Sequence, residues 1–280
     1  MTPTAIVTGG SRGIGAEVVG RLATTGHHVL LVFTEDDRGA EETAARGSNA
    51  DASVVPFRCD ITADDSPIRI FDAAAELGTP TVLVNNAGTT GAISPLRDAT
   101  DETIRRAIDV NLTATIRLCR EAMSRWTCDE KSRNGGYVSD EEPQNEGPAT
   151  EHGPHCDRRE AVRRSPRSIV NVSSIAAKIG SPNEYVWYAA AKAGVNALTT
   201  GLAVEAAPFG IRVNAVNPGT TSTTIHARAG RPNRAAEAGK RSPMGRPAEP
   251  DEIAAAVEWL VSTDASYVNG TILDVAGGIR

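Results

Sequence analysis

Two side chains that can exchange a proton with a carbonyl or an alcohol lie four residues apart, at Tyr188 and Lys192. They belong to a predicted helix, Tyr185–Ala207, in which this spacing puts both on one face. A nearby ammonium group favours the phenolate and lowers the phenol pKa from its usual value near ~10. A tyrosine tuned in this way can act as a general acid or base. An isolated pair would more often be two uncoupled surface residues, so the interpretation depends on the rest of the chain.

A glycine-rich turn, TGGSRGIG at residues 8–15, follows the first predicted strand and opens the first predicted helix. The glycines permit a tight turn and let backbone N–H groups approach a phosphate, and the helix N-terminus adds partial positive charge. Such a turn can be a simple connector between a strand and a helix. Its position directly after the first strand favours a dinucleotide site.

Polar residues follow other predicted strands, at the sheet edge where open α/β proteins bind their ligands. A polar residue inside an otherwise apolar helix also needs a reason of its own. These candidates are Asp60 after Ser53–Phe57, Asn85–Gly88 after Thr81–Val84, Ser173 and Ser174 after Ser168–Val172, and Asn111 within the helix Asp101–Trp126.

The elements that must position these residues alternate along the chain. Short runs rich in Val and Ile predict strands at Thr4–Thr8, Val29–Phe33, Ser53–Phe57, Thr81–Val84, Ser168–Val172, Arg212–Val216 and Thr271–Val275. Helical patterns cover Gly13–Thr24, Arg38–Ala45, Pro67–Leu77, Asp101–Trp126, Tyr185–Ala207 and Glu249–Val261. Alternation of this kind predicts a parallel sheet with helices on both faces.

Composition excludes several functional classes. The chain has 280 residues, of which 40% are hydrophobic and 23% charged, which is typical of a globular protein. A net charge of −6 argues against general nucleic-acid binding. Because no apolar run has membrane-spanning length and no basic-then-apolar leader precedes the first strand, we expect a cytoplasmic protein. The four cysteines are too few and too scattered for a disulfide scaffold, which fits a reducing compartment.

One stretch, Thr127–Arg167, lacks periodic hydrophobicity and carries nine acids and seven bases. A segment of this length and polarity inside a compact domain predicts a mobile insertion. It contains four residues that could bind zinc, but their spacing matches no usual ligand pattern. We therefore predict no metal site. Those four residues are Cys128, His152, His155 and Cys156.

Together these motifs resemble the short-chain dehydrogenase/reductase family, and in particular its branches similar to 3-oxoacyl-carrier-protein reductases and glucose dehydrogenases. The matching segments occur in the family's order: TGGSRGIG at 8–15, Asp60, NNAG at 85–88, Asn111, Ser174, Tyr188-x-x-x-Lys192 and Asn217-Pro218-Gly219. The resemblance implies one doubly wound, Rossmann-like α/β domain over residues 1–280, with a seven-stranded parallel sheet. It also implies a homo-oligomer, either a tetramer or a dimer.

Roles follow from the resemblance by position. Tyr188 resembles the catalytic acid/base, and Ser174, rather than Ser173, the residue that polarises the substrate carbonyl. Lys192 resembles the residue that lowers the tyrosine pKa and holds the nicotinamide ribose. Asn111 resembles the residue that bends its helix and holds a proton-relay water. The implied cofactor-binding residues are Gly9, Ser11, Arg12, Gly13, Ile14, Gly15, Thr34, Asp60, Ile61, Asn86, Ala87, Gly88, Tyr188, Lys192, Pro218, Gly219 and Thr223.

Cofactor preference depends on the end of the second strand, where an acid would bind the ribose 2′-hydroxyl and repel a 2′-phosphate. Phe33 and Thr34 occupy this position, and the first acid is Glu35. Arg12 lies where members of the family that prefer NADP often carry a base, although relatives that use NAD also have an arginine there. We expect NADPH to be preferred over NADH.

The segment Thr220–Arg246 covers the substrate in this family, and here it carries six bases against the single acid Glu237. One hypothesis is that it attracts an anionic substrate or an acidic carrier protein; the alternative is a solvated loop. The predicted activity is reduction of a small-molecule or carrier-linked carbonyl. The alternatives are an NAD-dependent alcohol or sugar dehydrogenase, and a nonenzymatic dinucleotide sensor or scaffold. The six bases are Arg228, Arg231, Arg234, Lys240, Arg241 and Arg246.

Overall fold

A sheet of seven parallel strands forms the centre of the molecule, in the order β3-β2-β1-β4-β5-β6-β7. The computed structural model describes residues 2–133, 167–225, 229–231 and 233–280. All seven predicted strands are present, with ends that differ from the prediction by at most two residues. Their bounds are β1 (Pro3–Thr8), β2 (His28–Phe33), β3 (Val54–Arg58), β4 (Thr79–Asn85), β5 (Arg167–Val172), β6 (Ile211–Pro218) and β7 (Ile272–Val275).

Helices connect the strands and cover both faces of the sheet. The six predicted helical regions are present, and two short helices in the described residues, α6 and α8, were not predicted. The helices are α1 (Gly13–Thr24), α2 (Asp37–Gly47), α3 (Ser66–Leu77), α4 (Asp101–Ile108), α5 (Ala114–Arg133), α6 (Ala176–Ile179), α7 (Val186–Ala206), α8 (Arg234–Gly239) and α9 (Pro250–Val261).

Two hydrophobic cores, one on each face, follow from the alternation of side chains along the strands. Ala5 and Val7 of β1 face a core shared with α1, α2 and α9, whereas Ile6 faces a core shared with α3, α5 and α7. Strands that bury both faces must be apolar at every position, which explains their continuous Val and Ile runs.

The predicted helix Asp101–Trp126 differs from the structure at two points. A π-helical turn, Asp109–Thr113, interrupts it and separates α4 from α5. Helix α5 then continues to Arg133, and β5 begins at Arg167, so residues 127–133 and 167 of the predicted insertion lie in regular elements. The remainder, with the candidate zinc ligands His152, His155 and Cys156, lies outside the described residues, and its mobility stays a prediction.

The strand order reverses between β1 and β4, because the chain runs outward from β1 to β3 and then returns to the other side of β1. Loops after these two strands diverge and leave a crevice at the carboxyl edge of the sheet, where open α/β folds bind their ligands. In the part of the chain that the structure describes, no helix is long and apolar enough to cross a membrane.

Candidate active site

A cavity of about 680 Å³ opens at the carboxyl edge of the sheet, over the point where the strand order reverses. Every predicted site residue except Asn111 lines it. Residues from the ends of β1, β2, β3 and β4 form one half, and residues from β5, β6 and α7 form the other. Residues up to about two hundred positions apart in the sequence therefore line one cavity.

Backbone contacts shape the glycine turn between β1 and α1. A Cβ on Gly15 would lie 2.2 Å from the carbonyl oxygen of Gly9, and a Cβ on Gly9, at φ +67°, would lie 2.9 Å from Ala87 Cα. Asn86 fixes the turn from the β4 side, because its Nδ2 donates to the carbonyl oxygens of Thr8 (2.9 Å) and Gly9 (3.0 Å). The NNAG segment therefore does serve as a structural turn, and it also lines the cavity.

The first turn of α1 is suited to an anion. Its N-cap residue, Arg12, makes no side-chain capping hydrogen bond, and no acid lies in the first turn. The leading N–H groups of a helix have no partner within the helix and carry the positive end of its dipole. Because the glycines of this turn carry no side-chain carbon, the backbone N–H groups are accessible, and these residues fit the pyrophosphate of a dinucleotide.

The far end of the cavity contains the residues expected at an adenosine. Asp60 accepts hydrogen bonds from the backbone and side chain of Thr62 (2.9 and 2.8 Å), which hold its carboxylate at the end of β3. Arg12 forms an ion pair with Asp36 (3.3 Å), which in turn caps α2 by accepting from Gly39 N. The acid that faces Arg12 is therefore Asp36, three residues beyond β2, a partner that sequence position alone did not indicate.

Tyr188 and Ser174 line the same cavity, and the Ser174 hydroxyl is near enough to the phenol to lower its pKa. Ser174 also accepts from the backbone N–H of Ala176 (3.1 Å), which fixes its hydroxyl at the start of α6. Ser173 instead donates to the carbonyl oxygen of Lys192 (2.9 Å) and ties β5 to α7. This geometry favours Ser174 over Ser173 as the residue that faces a substrate.

Lys192 is hydrogen-bonded to β5 and lies near the Tyr188 ring. Its Nζ donates to the carbonyl oxygen of Val172 (2.7 Å) and is 5.8 Å from the centre of the Tyr188 ring. A Cβ on Gly88 would lie 3.6 Å from this Nζ and 2.7 Å from Asn111 Oδ1. A side chain at position 88 would therefore displace the Asn111 amide, whereas the Lys192 amine would be in ordinary contact.

Burial controls the ionisation of both groups. It raises the pKa of the Tyr188 phenol above its usual range, and the hydrogen bond with Ser174 offsets part of that rise. It also lowers the pKa of Lys192 to about 8. The lowering of the phenol pKa by Lys192 stays a prediction, since desolvation is the largest influence on the pKa of both groups in this structure.

Asn111 lies at the centre of the π-turn and is fully buried. Its Nδ2 donates to the carbonyl oxygens of Ala107 and Thr89, both at 2.7 Å, and its Oδ1 accepts from Thr89 N (3.2 Å). Thr89 lines the cavity and Asn111 does not, so Asn111 is the one predicted site residue that contacts the cavity only through a neighbour. The predicted distortion of the helix is present as this π-turn.

A cluster at the substrate end of the cavity was not predicted as a unit. It consists of Ser181, Glu184, Tyr185 and Arg234. Arg234 Nη2 donates to Tyr185 Oη (2.9 Å) and forms an ion pair with Glu184. The sequence marked Arg234 only as one base among six, because its partners lie about fifty residues earlier and no local pattern connects the two segments.

The basic segment Thr220–Arg246 carries less free charge than its composition indicates. Arg246 pairs with Glu252 of α9 (2.7 Å), and Arg231 lies 4.0 Å from Glu237. With Arg234 paired to Glu184, acids engage three of the five bases that lie in the described residues. This pairing weakens the hypothesis of long-range attraction and leaves a local role for individual bases.

The fold and this cavity define a dinucleotide-binding α/β enzyme. The description "short chain dehydrogenase" matches residues 3–138, and the description "Enoyl-(Acyl carrier protein) reductase" matches residues 155–280. Curated relatives match along nearly the whole chain, and the protein belongs to the short-chain dehydrogenase/reductase family, whose members are NAD(P)-binding oxidoreductases.

Two relatives and one solved structure illustrate the match. The uncharacterized oxidoreductase YgfF of Escherichia coli (strain K12) is 36% identical, with 98% of each chain covered. Cis-4-hydroxycyclohexanecarboxylate dehydrogenase of Sinomonas cyclohexanicum is 37% identical, with 98% of this chain and 95% of the relative covered. The 3-ketoacyl-(acyl-carrier-protein) reductase from Brucella melitensis complexed with NADH is 28% identical, with a TM-score of 0.77 and 99% and 97% of the two chains covered.

Proposed function

We propose that this protein is a carbonyl reductase that uses NADPH. The observation that carries the proposal is that Ser174 and Tyr188 line the same cavity as the uncapped glycine turn of α1. A proton donor and a nucleotide site that share one cavity have the two components that reduction of a carbonyl requires.

The chain's own residues supply the proton and the orientation. The nucleotide, when bound, supplies a hydride to the carbonyl carbon. Tyr188 donates its phenolic proton to the carbonyl oxygen, and Ser174 donates a hydrogen bond that holds this oxygen in place and stabilises its developing negative charge. Lys192 lies near the Tyr188 ring, and by the family resemblance Lys192 and a water held by Asn111 return a proton to the phenol.

Burial raises the pKa of Tyr188, so the phenol holds the proton that carbonyl reduction consumes. The same shift makes it a weaker acid, because proton transfer is most effective when the pKa lies near the working pH. The preferred direction of the reaction therefore has to be measured with oxidised and reduced cofactors.

Replacement of Tyr188 tests the proposal. Tyr188→Phe removes the proton donor but keeps the ring, so we expect carbonyl reduction to fall at least about a hundredfold while NADPH binding is retained. Tyr267→Phe is the matched control, since that side chain is fully exposed, and it should keep wild-type turnover. Turnover of Tyr188→Phe near the wild-type rate would refute the assignment.

The preference for NADPH is supported by Arg12 and by the absence of an acid directly after β2, where Phe33 and Thr34 stand. Asp36 holds the Arg12 guanidinium at the cavity. Arg12→Gln should lower kcat/KM for NADPH about tenfold and leave that for NADH unchanged. Arg38→Gln, on the exposed surface of α2, is the control. A wild-type enzyme that prefers NADH would contradict the proposal.

Substrate identity is narrowed by the relatives, which include a dehydrogenase of a hydroxycyclohexanecarboxylate and a 3-ketoacyl reductase. A panel containing 4-oxocyclohexanecarboxylate, a 3-oxoacyl thioester and glucose, with NADPH, NADH and their oxidised forms, separates a reductase from an NAD-dependent alcohol or sugar dehydrogenase. Absence of turnover throughout, together with tight nucleotide binding, would instead support a nonenzymatic sensor.

Assembly and location remain proposals from the family resemblance. We expect a cytoplasmic homotetramer or dimer. Val204 of α7, Trp259 of α9 and Tyr267 expose large apolar side chains, which supports burial against further copies. Light scattering of the purified protein gives the mass directly, and a monomer at micromolar concentration would contradict the expectation.

A further inference from the structure

Arg234 is a buried arginine in the substrate half of the cavity. It is the first residue of α8, is 9% exposed, and lines the cavity together with Glu184 and Tyr185. Its Nη2 bonds to both of these partners, and its guanidinium lies over the Tyr185 ring at 5.5 Å. The side chain is therefore held in one place and not free to swing into solvent.

One donor of this guanidinium has no acceptor. Arg234 Nε is buried and without a hydrogen-bond partner in the described residues. An unsatisfied buried donor on a charged group is costly, and native structures almost always satisfy such groups. Glu184 and Tyr185 therefore leave part of the hydrogen-bonding capacity of this guanidinium unused, and the side chain forms part of the cavity wall.

The position of Arg234 relative to Tyr188 suits a small molecule. The Tyr185 ring separates Arg234 from Tyr188, and the two tyrosine rings meet edge to face at 5.4 Å. A ligand that reached both residues would therefore carry its acceptor on the side of the molecule opposite the reacting carbonyl.

The charge of the cavity favours an anionic acceptor. Its lining holds five basic residues and three acidic ones, which are Arg12, Arg106, Lys192, Arg234 and Arg241 against Glu35, Asp60 and Glu184. A concave wall with an excess of one sign concentrates ligands of the other sign. A planar guanidinium is also the preferred partner of a carboxylate, which it can hold through parallel hydrogen bonds.

We propose that the substrate is an oxo-carboxylic acid whose carboxylate, remote from the reacting carbonyl, is bound by the Arg234 guanidinium where it lines the cavity. Tyr185 and Glu184 position the guanidinium, and Glu184 competes with the substrate carboxylate for it. The proposal rests on the carbonyl-reductase function and adds its substrate class.

A charged and neutral pair of ketones tests this. Wild-type kcat/KM for 4-oxocyclohexanecarboxylate should exceed that for 4-oxocyclohexanecarboxamide at least about tenfold, the scale of one charge-assisted hydrogen bond. Arg234→Gln should abolish this preference, chiefly through KM, while turnover of the amide persists. Arg231→Gln, at an exposed base three residues away, should keep the preference. Equal use of acid and amide by the wild type would overturn the proposal.

Two further measurements separate binding from structural damage and from the proposed activity. Glu184→Gln removes the competing carboxylate, so the preference for the acid should increase; a merely structural role would weaken acid and amide alike. Calorimetric binding of cyclohexanecarboxylate and cyclohexanecarboxamide to the NADPH-loaded protein needs no turnover. Equal affinity for the two, or no binding of the acid, overturns the anion site whether or not reductase activity is found. Inactivity with intact acid binding refutes only the carbonyl-reductase function.

Discussion

Replacing Lys192 should change how the stability of the protein depends on pH. Lys192 is buried and its pKa falls from 10.5 to about 8 on folding. Between these two values the unfolded chain binds more protons than the folded one, so stability rises with pH. The lowered pKa of Lys192 reduces the free energy of unfolding by about 3 kcal/mol at pH 7 and by less than about 1 kcal/mol at pH 10. Wild-type stability should therefore gain about 2.5 kcal/mol over this range relative to Lys192→Met.

Urea unfolding of both proteins at pH 7, 8, 9 and 10 measures this difference. Lys192→Met also removes the donor to the Val172 carbonyl, but that loss adds the same offset at every pH. Titration of Tyr188 occurs in both proteins and cancels. If the two stability curves stay parallel from pH 7 to pH 10, the amine does not experience the desolvation that the structure gives it, and the account of Lys192 given above fails.

Two other substitutions have defined outcomes. Gly15→Ala places a Cβ 2.2 Å from the Gly9 carbonyl oxygen and should weaken NADPH binding more than about tenfold. Gly20→Ala on the same helix is the control, because its Cβ meets nothing within 4 Å. This variant should bind NADPH normally and gain about 0.5–1 kcal/mol of stability. Equal nucleotide affinity in the two variants, measured by fluorescence titration, would contradict the role of the turn. Asn111→Leu removes three hydrogen bonds from a fully buried amide to the backbone of Ala107 and Thr89 and should lower the free energy of unfolding by about 2–4 kcal/mol in urea denaturation; a loss below about 1 kcal/mol would contradict it.

The sheet was predictable because its signals are local. Each buried strand is a short apolar run, and each is bounded by residues that favour turns, so the seven strands and their order along the chain follow from adjacent residues. The glycine turn is local for the same reason: the close approach of Gly15 to Gly9 occurs within seven positions. A motif that is contiguous in sequence can therefore be interpreted before the fold is known.

Features that depend on contacts between distant segments were predictable only in part. The family resemblance indicated that Asn111 bends its helix, but not that the π-turn at Asp109–Thr113 lies where Asn111 can bond Thr89, a residue on another element. Helix α7 is fixed to the sheet by a buried relay in which Asn85 donates to Asn171, and Asn171 donates to Thr199. In each case the sequence shows a polar residue in an apolar context and gives no sign of the group that satisfies it.

The Tyr188 and Lys192 pair shows why spacing alone does not determine chemistry. The four-residue spacing correctly placed the two side chains near each other, but the sign of a pKa shift depends on whether charge attraction or desolvation is larger. Here both groups are buried, and desolvation raises the pKa of the phenol and lowers that of the amine to about 8. The sequence predicted a charge attraction between the two groups, but it could not show how deeply the fold buries them. The size of the desolvation depends on the segments packed around α7, and no four-residue pattern contains that information.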